Sequence, residues 1–149
     1  MDHEPESTAL SEYGQKMQCE VKSVGLFVSE SGLLGASPDG MVSDDLIVEV
    51  KCPWSLRDNK MSIFEASVNK RDFYLNVTDT CDLVLSSTHA YYHQVQGILH
   101  LTGAQTCDLV VWTPHDTEVI RINKDVGWYN NISKLEEFYR DIFLSLIHI

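Results

Sequence analysis

The sequence predicts an α/β fold in which a central mixed β-sheet is flanked by helices. Short apolar runs at 46–50, 107–113 and 118–122 have the length of strands and adjoin turn-forming residues. Longer stretches near both chain ends and at 89–102 space their apolar residues as a helix does. Strands that alternate with helices favour a sheet covered by helices. The chain has 149 residues, 44% of them hydrophobic, which suffices for one core.

In chain order, the first expected elements are a helix and a strand. Residues 1–18 are predicted to be helical, with Pro5 in the first turn, because one stripe leans apolar: Thr8, Ala9, Leu10, Tyr13 and Met17. The run 24–28 predicts a strand, which a turn at 29–32 connects to 33–36.

The next stretch predicts a β-hairpin. Residues 43–45 are turn formers that lie between the apolar runs 40–42 and 46–48. If these three residues form the loop, Asp39 faces Glu49 across the ladder. The expected pairs are then 42 with 46, 41 with 47 and 39 with 49.

The second strand of this hairpin carries two charged residues. Glu49 and Lys51 are separated by one apolar residue, so strand alternation predicts that both side chains point the same way. Pro53 should end the strand because it cannot donate to the ladder. Two further residues are expected to pack at this end, Cys52 and Trp54.

The second half of the chain predicts three helices and two strand pairs. The helix at 89–102 is expected to end at Gly103, after a cap in 86–88. Its two glutamines, Gln94 and Gln96, do not fit a simple solvent face. The other expected elements are a helix at 61–68, strands at 73–75, 82–85, 107–113 and 118–122, and a terminal helix at 128–146. The apolar stripe of the terminal helix is expected to pack into the core.

The expected contact between Asp39 and Glu49 suggests a metal site. Opposed side chains of an antiparallel pair have Cβ atoms roughly 4.5–5.5 Å apart, and like charges there are destabilising. A divalent cation compensates this repulsion, and carboxylate oxygens suit Mg²⁺ or Mn²⁺. Lys51 would then orient or deprotonate a water, or stabilise charge on a phosphate. The alternative interpretation is a surface hairpin with solvated charges.

Composition limits the partners and the location. A net charge of −11 and a pI near 4.8 argue against broad non-specific attraction to nucleic acid. The four cysteines lack zinc-site spacing and follow no secretory signal, so they are expected to be reduced. No run reaches the ~18 apolar residues that span a bilayer, so we expect an intracellular protein, nuclear or cytoplasmic, without a membrane partner. DNA contact would rest on few basic residues: Lys51, Arg57, Lys60, Lys70 and Arg71.

The longer string around the hairpin resembles a known family. SPDGMV at 37–42 and LIVEVKCPWSLRD at 46–58 are similar, nearly word for word, to the YqaJ-type viral recombinase family, which includes lambda exonuclease. The shorter pattern of Asp39, then Glu49-x-Lys51, resembles the PD-(D/E)XK nuclease superfamily. The resemblance implies a restriction-endonuclease-like core and a single nuclease domain over 1–149. Family members normally have a further helical segment upstream, so the sequence is expected to be either a fragment or a shortened member.

The resemblance also implies a set of metal ligands. The family has a helix that opens with a Glu-Pro pair and whose glutamate reaches the metal site. His3-Glu4-Pro5 resembles that opening, so the role is carried to Glu4, with Glu6 as the alternative. The implied ligands of the first Mg²⁺ are Asp39, Glu49 and the Val50 carbonyl, and Glu4 lies near a second metal or its waters.

Glutamines and DNA contacts are implied in the same way. The string YYHQVQG at 91–97 resembles the glutamine motif of the family. Gln94 is the favoured residue to hold the nucleophilic water or the scissile phosphate, and Gln96 is the next. Ser37 and Arg57 are the implied DNA contacts, although a solvated loop cation explains Arg57 equally well.

The function implied by the resemblance is Mg²⁺-dependent hydrolysis of DNA phosphodiesters, with Mn²⁺ as the alternative metal. The substrate would be double-stranded DNA, degraded from its ends in recombination or repair. A homo-oligomer and a recombination partner protein are both compatible with this family. Two other functions stay open: a structure-specific or restriction-like endonuclease, and a non-catalytic DNA- or protein-binding module derived from a nuclease.

Overall fold

A four-stranded mixed β-sheet lies at the centre of the computed structural model, which describes residues 4–58 and 60–147. The elements are, in chain order, α1 (Glu4–Met17), β1 (Phe27–Val28), β2 (Gly35–Ala36), β3 (Gly40–Ser43), β4 (Leu46–Lys51), α2 (Ile63–Asn69), β5 (Leu75–Val77), β6 (Leu83–Leu85), α3 (Ala90–Thr102), β7 (Thr106–Trp112), β8 (Thr117–Asn123) and α4 (Asn130–Ile147). This arrangement confirms the α/β class with a mixed sheet and flanking helices.

The strands of the central sheet lie in the order β3–β4–β7–β8. β4 runs parallel to β7, whereas β3 and β8 are antiparallel to their neighbours. β4 and β7 are almost wholly buried, because helices cover both faces of the sheet. Two small antiparallel pairs, β1–β2 and β5–β6, lie outside this sheet.

The sheet separates two hydrophobic clusters. The smaller cluster packs the sheet against α1 and contains Ala9, Tyr13, Val48, Val50 and Val110. The larger cluster packs the other face against α2 and α3 and includes Ile47, Ile63, Val95, Leu99 and Leu109. Since alternate residues of a strand point to opposite faces, Glu49 and Lys51 share the face of Ile47. The two charged residues therefore lie on the face that α3 covers.

The β3–β4 hairpin keeps the predicted pairing at its middle but not at its tip. The prediction that 42 pairs with 46 is wrong, because a β-bulge after Met41 takes up one residue and keeps Ser43 in the strand. The loop thus shortens from 43–45 to 44–45. The observed pairs are Gly40 with Val48, Met41 with Ile47 and Ser43 with Leu46.

The middle helices are present with shifted ends. α3 ends before Gly103, as predicted, and the φ of 79° at Gly103 is a left-handed conformation that glycine tolerates. His89 caps the start of α3 in place of the serines and threonine at 86–88, because its Nδ1 accepts from the Tyr91 amide at 3.0 Å. The predicted helix at 61–68 begins instead at Ile63, behind a capping box that Ser62 opens.

The apolar stripe of α4 is largely exposed, which corrects the expectation that core packing explains it. Ile132 is buried, whereas the four later residues are 39–61% exposed: Leu135, Phe138, Ile142 and Leu146. The helix packs mainly through its start, against the 3₁₀ turn Val126–Tyr129. Neither α4 nor any other helix within 4–58 and 60–147 combines the length and apolar character needed to cross a bilayer.

Candidate active site

The open end of the β3–β4 hairpin brings Asp39 and Glu49 together. The backbone N–H of Asp39 donates to Glu49 Oε1 at 2.9 Å, and the backbone N–H of Val50 donates to Asp39 Oδ2 at 2.8 Å. The last backbone pair of the two strands is at Gly40, so these bonds extend the ladder with carboxylates in place of carbonyls. Each carboxylate is therefore fixed by the opposite side of the hairpin.

Ionisation of the Glu49 carboxyl is energetically unfavourable in the metal-free protein. Its side chain is only 3% exposed, and the half-buried Asp39 lies beside it. Burial, followed by the charge of Asp39, raises the pKa of Glu49 from 4.5 to about 8. A cation between the two carboxylates would relieve both effects, because it favours the ionised form of each.

Lys51 reaches toward α3 and not toward the carboxylates. Its Nζ donates to Gln94 Oε1 at 2.9 Å and lies 4.1 Å from the centroid of the Tyr91 ring. Residues three apart share one face of a helix, so a single turn of α3 supplies both contacts. Sequence analysis placed Tyr91 in the string that resembles the glutamine motif but missed this contact, although the three-residue spacing from Gln94 indicates it.

The donor atoms at the hairpin end fit a hard divalent cation. Asp39 uses Oδ2 and Glu49 uses Oε1 in the backbone bonds, and the two side chains also hydrogen-bond to each other, so a cation between them would take the place of that bond. The Val50 carbonyl faces the same edge of β4 as the Val50 N–H, because both groups of a strand residue point the same way. Two carboxylates and a carbonyl suit Mg²⁺, which keeps waters and binds substrate phosphates. In the described part of the chain, no three or more His, Cys, Asp or Glu side chains are grouped so that they could hold a metal ion together.

The first turn of α1 contributes Glu6 to a cavity that Asp39 also lines. Glu6 and Asp39 both line a cavity of about 530 Å³ between α1 and the hairpin, whereas Glu4 is exposed and does not line it. The charge of Glu6 also acts on the neighbouring Cys52, whose pKa is raised by burial and by Glu6 and Asp39. His3 lies outside the described residues. Glu4 as the helix carboxylate, with Glu6 as the alternative, stays a prediction, and Glu6 is the one that shares this cavity with Asp39.

Gln96 does not join the candidate site. It is fully buried on another side of α3, where its Nε2 donates to the Asn123 carbonyl at 2.9 Å and its Oε1 accepts from the Asp125 amide at 2.8 Å. Both ends of the amide are thus engaged by the backbone at the end of β8 and just after it. The predicted catalytic role of Gln96 is replaced by a structural one, because a helix turns residues two apart to different sides.

The two predicted DNA contacts lie on the surface. Ser37 is exposed and shares a second cavity, of about 450 Å³, with Gln94. Arg57 stacks on the ring of Trp54, with Cζ 3.8 Å from the centroid, and donates to the Trp54 carbonyl at 2.7 Å. The expectation that Cys52 and Trp54 pack at the strand end is wrong, because both are exposed and Trp54 serves as a platform for Arg57.

A buried carboxylate that sequence analysis missed, Asp108, anchors α1 to the sheet through an ion pair and a hydrogen bond. Asp108 on β7 is 1% exposed and accepts two bonds from Arg121, at 2.9 and 3.0 Å, and one from the Tyr13 hydroxyl at 2.5 Å. The signal in the sequence is a single carboxylate inside an otherwise apolar strand. The network holds the helix that carries Glu6 against the strand next to β4.

The two glutamines of α3 should separate in their effects. Gln94→Ala is expected to lower turnover roughly tenfold, because Lys51 loses a charge-assisted hydrogen bond, while Mg²⁺ affinity and stability change little. Gln96→Ala should instead lower the free energy of unfolding by about 2 kcal/mol or more, because it removes two hydrogen bonds and leaves a cavity in place of a fully buried side chain. Urea unfolding and calorimetric Mg²⁺ titration of both variants check this. Lost Mg²⁺ binding in Gln94→Ala with unchanged turnover would contradict it.

Metal-free protein should lose stability as the pH rises. The pKa of Glu49 is 4.5 unfolded and about 8 folded, so its contribution to stability is complete below pH 4.5 and is lost as the pH rises through about 8. The loss amounts to no more than about 5 kcal/mol. Glu49→Gln keeps an acceptor for the Asp39 amide and should flatten this part of the profile. Urea unfolding in EDTA from pH 4 to 9 tests the difference, and parallel profiles of the two proteins would refute it.

A viral nuclease has a related sequence. The alkaline nuclease of Orgyia pseudotsugata multicapsid polyhedrosis virus is 29% identical over 119 residues, a match that covers 70% of this chain and 28% of the nuclease. The chain thus spans little more than a quarter of the length of that relative.

Solved exonucleases share the fold. LHK-Exo in complex with dAMP matches with a TM-score of 0.72 and 23% identity, over 97% of this chain and 67% of that one. The alkaline exonuclease LHK-Exo from Laribacter hongkongensis matches with a TM-score of 0.68 and 22% identity, over 97% of this chain and 68% of that one. A phage-related exonuclease from Haemophilus somnus 129PT matches with a TM-score of 0.64 and 15% identity, over 97% of this chain and 71% of that one. The model of the YqaJ-like viral recombinase domain matches residues 3–105, more than half of the chain, and the chain belongs to this family.

Proposed function

We propose that this domain is a Mg²⁺-dependent deoxyribonuclease that hydrolyses phosphodiester bonds from the ends of duplex DNA, in recombination or repair. One observation carries the proposal: two interlocked carboxylates, Asp39 and Glu49, lie beside a lysine that points away from them. Membership of the YqaJ-like family supports it, as do the names of the relatives, an alkaline nuclease and exonucleases.

The chain supplies positions for each part of the reaction. When bound, Mg²⁺ or Mn²⁺ neutralises charge on the phosphate and favours ionisation of the attacking water. Asp39, Glu49 and the Val50 carbonyl would hold that cation, and Glu6 would add negative charge to the cavity beside it. Lys51 donates to a phosphate oxygen or orients the water. Hydrolysis joins the water oxygen to phosphorus and breaks the bond to the leaving sugar oxygen, which takes up a proton.

Because the chain is acidic, binding of DNA should depend on the bound cation. With a net charge of −11, the protein as a whole repels phosphate, and long-range attraction to DNA is weak. Lys60 is paired with Asp58 at 3.4 Å, which leaves less positive charge for DNA on that loop. Binding of DNA should therefore depend on Mg²⁺ more strongly than binding by a basic nuclease does.

Product analysis on linear and circular DNA tests the proposal. Linear duplex labelled at the 5′ or the 3′ end should be shortened progressively with Mg²⁺ and left intact in EDTA, while closed circular duplex of the same sequence survives. Cleavage of the circle would replace the proposal by an endonuclease. Calorimetric Mg²⁺ or DNA binding without cleavage of either form would replace it by a non-catalytic module. Glu49→Gln protein, purified in parallel, controls for contaminating nucleases.

A further inference from the structure

The Lys51 ammonium contacts side chains of α3 and not the carboxylates nearest to it. It lies two residues from Glu49 on the same face of β4, and its charge acts on the Glu49 carboxyl. Yet the ion pairs found within 4–58 and 60–147 join Lys60 with Asp58 and Arg121 with Asp108, and Lys51 takes part in neither. The ammonium lies instead against a neutral amide and a ring face. Both carboxylates thus stay open to a cation, and the ammonium stays open to a phosphate.

The ring contact has the geometry of a cation–π interaction. An ammonium within about 6 Å of a ring centroid is attracted by the electron density of the ring face, and Lys51 Nζ is 4.1 Å from the centroid of Tyr91. A lysine side chain has four rotatable bonds, and holding it in one place costs conformational entropy. The ring gives the ammonium a broad contact surface, and the hydrogen bond to Gln94 orients it.

The Tyr91 ring is itself held firmly. It makes edge contacts with Tyr74, at 4.8 Å between centroids, and with His89, at 4.6 Å. Tyr74 is buried, and its hydroxyl has no hydrogen-bond partner among the described residues. Burial of an unpaired hydroxyl is unfavourable, so Tyr74 contributes through its ring. His89 also fixes the start of α3 by capping the Tyr91 amide.

We propose that Tyr91 is a positioning residue whose ring face holds the Lys51 ammonium away from Glu49 and Asp39 and beside the reacting phosphate. The inference rests on the proposed function, since it assigns Lys51 a part in hydrolysis. Without the ring, the ammonium moves toward the carboxylates, where it competes with the cation and no longer meets the phosphate.

Two substitutions separate the ring from the hydroxyl group. Tyr91→Phe keeps the ring face and should retain nearly full kcat, whereas Tyr91→Leu keeps apolar volume and should lower kcat roughly tenfold, with the KM for DNA little changed. Tyr92→Leu is the matched control, because the Tyr92 hydroxyl contacts Asp125 and its ring does not face Lys51. Fluorinated phenylalanines at position 91 keep the shape and weaken the ring face, so kcat should fall stepwise even if Tyr91→Leu is unstable.

A double-mutant cycle shows whether the effect passes through Lys51. In a Lys51→Ala background, Tyr91→Leu should cause little further loss of kcat. Full additivity of the two losses would overturn the proposal, and so would a Phe variant as impaired as the Leu variant, or a kcat insensitive to fluorination.

A readout without activity distinguishes this proposal from the proposed function. Protons of the Lys51 ε-methylene should show an upfield ring-current shift in NMR spectra, kept in Tyr91→Phe and in the Tyr92→Leu control and lost in Tyr91→Leu. Random-coil shifts in the wild-type protein would overturn the positioning role even if the protein cleaves DNA. An upfield shift in a protein that does not cleave DNA would overturn the proposed function and leave the lysine–ring contact intact.

Discussion

Glu49→Gln is expected to abolish Mg²⁺-dependent cleavage of DNA, and Asp39→Asn is expected to do the same. Each change replaces a carboxylate oxygen that would bind the cation by an amide. Loss of metal assistance, worth several kcal/mol, corresponds to a rate reduction of about 10³-fold or more. Rates on end-labelled duplex, together with Mg²⁺ titrations by calorimetry, measure both steps. Full activity in either purified variant would remove these residues from the site.

The amide variants test chemistry without disturbing the hairpin. Asp39 and Glu49 accept bonds from the Val50 and Asp39 amides, and an amide oxygen in the same place still accepts them. Above about pH 8, where metal-free Glu49 is ionised, removal of one like charge should therefore keep or raise stability. Asp44→Asn is the matched control, because it makes the same chemical change in the exposed loop at the other end of the hairpin. Equal loss of activity in Asp44→Asn would indicate a general charge effect and not a metal site.

The sequence predicts well those contacts that are local in the chain. Asp39 and Glu49 meet because one hairpin connects them, and hairpin pairing follows from turn residues and alternation. The error at Ser43 has a local cause too, since a bulge changes the register by one residue without altering the apolar pattern. The pairing of β4 with β7 joins residues 60 positions apart, and no local pattern in the sequence specifies that register.

Contacts that depend on helix rotation were harder to predict. Gln94 and Gln96 share a motif and a helix, yet one binds Lys51 and the other binds the backbone after β8. Which glutamine faces the site depends on the rotation of α3 about its axis as it packs on the sheet. The sequence motif does not specify this rotation. The same limit applies to Phe138 of α4, since helical spacing shows which residues share a face and not whether another element covers that face.

Lys51→Ala is expected to lower the rate of cleavage by roughly 10²-fold or more, as loss of a general base or of a charge-stabilising group commonly does. The carboxylates and the Val50 carbonyl are untouched, so Mg²⁺ should still bind. The Gln94 amide and the Tyr91 ring both lose their contact with the ammonium, but both lie near the surface and can be hydrated. The fold should therefore be retained.

Lys51→Arg should rescue this loss poorly. A guanidinium is planar and broad, it does not act as a base, and it pairs bidentately with carboxylates. In place of Lys51 it would not fit between Gln94 and Tyr91 in the same way and would turn toward Glu49, two residues away on the same face. Cleavage rates at saturating Mg²⁺ over several pH values compare wild type, Lys51→Ala and Lys51→Arg. Near-native cleavage by the alanine variant at every pH would show that Lys51 is only a surface charge, and full rescue by arginine would show that a positive charge alone suffices.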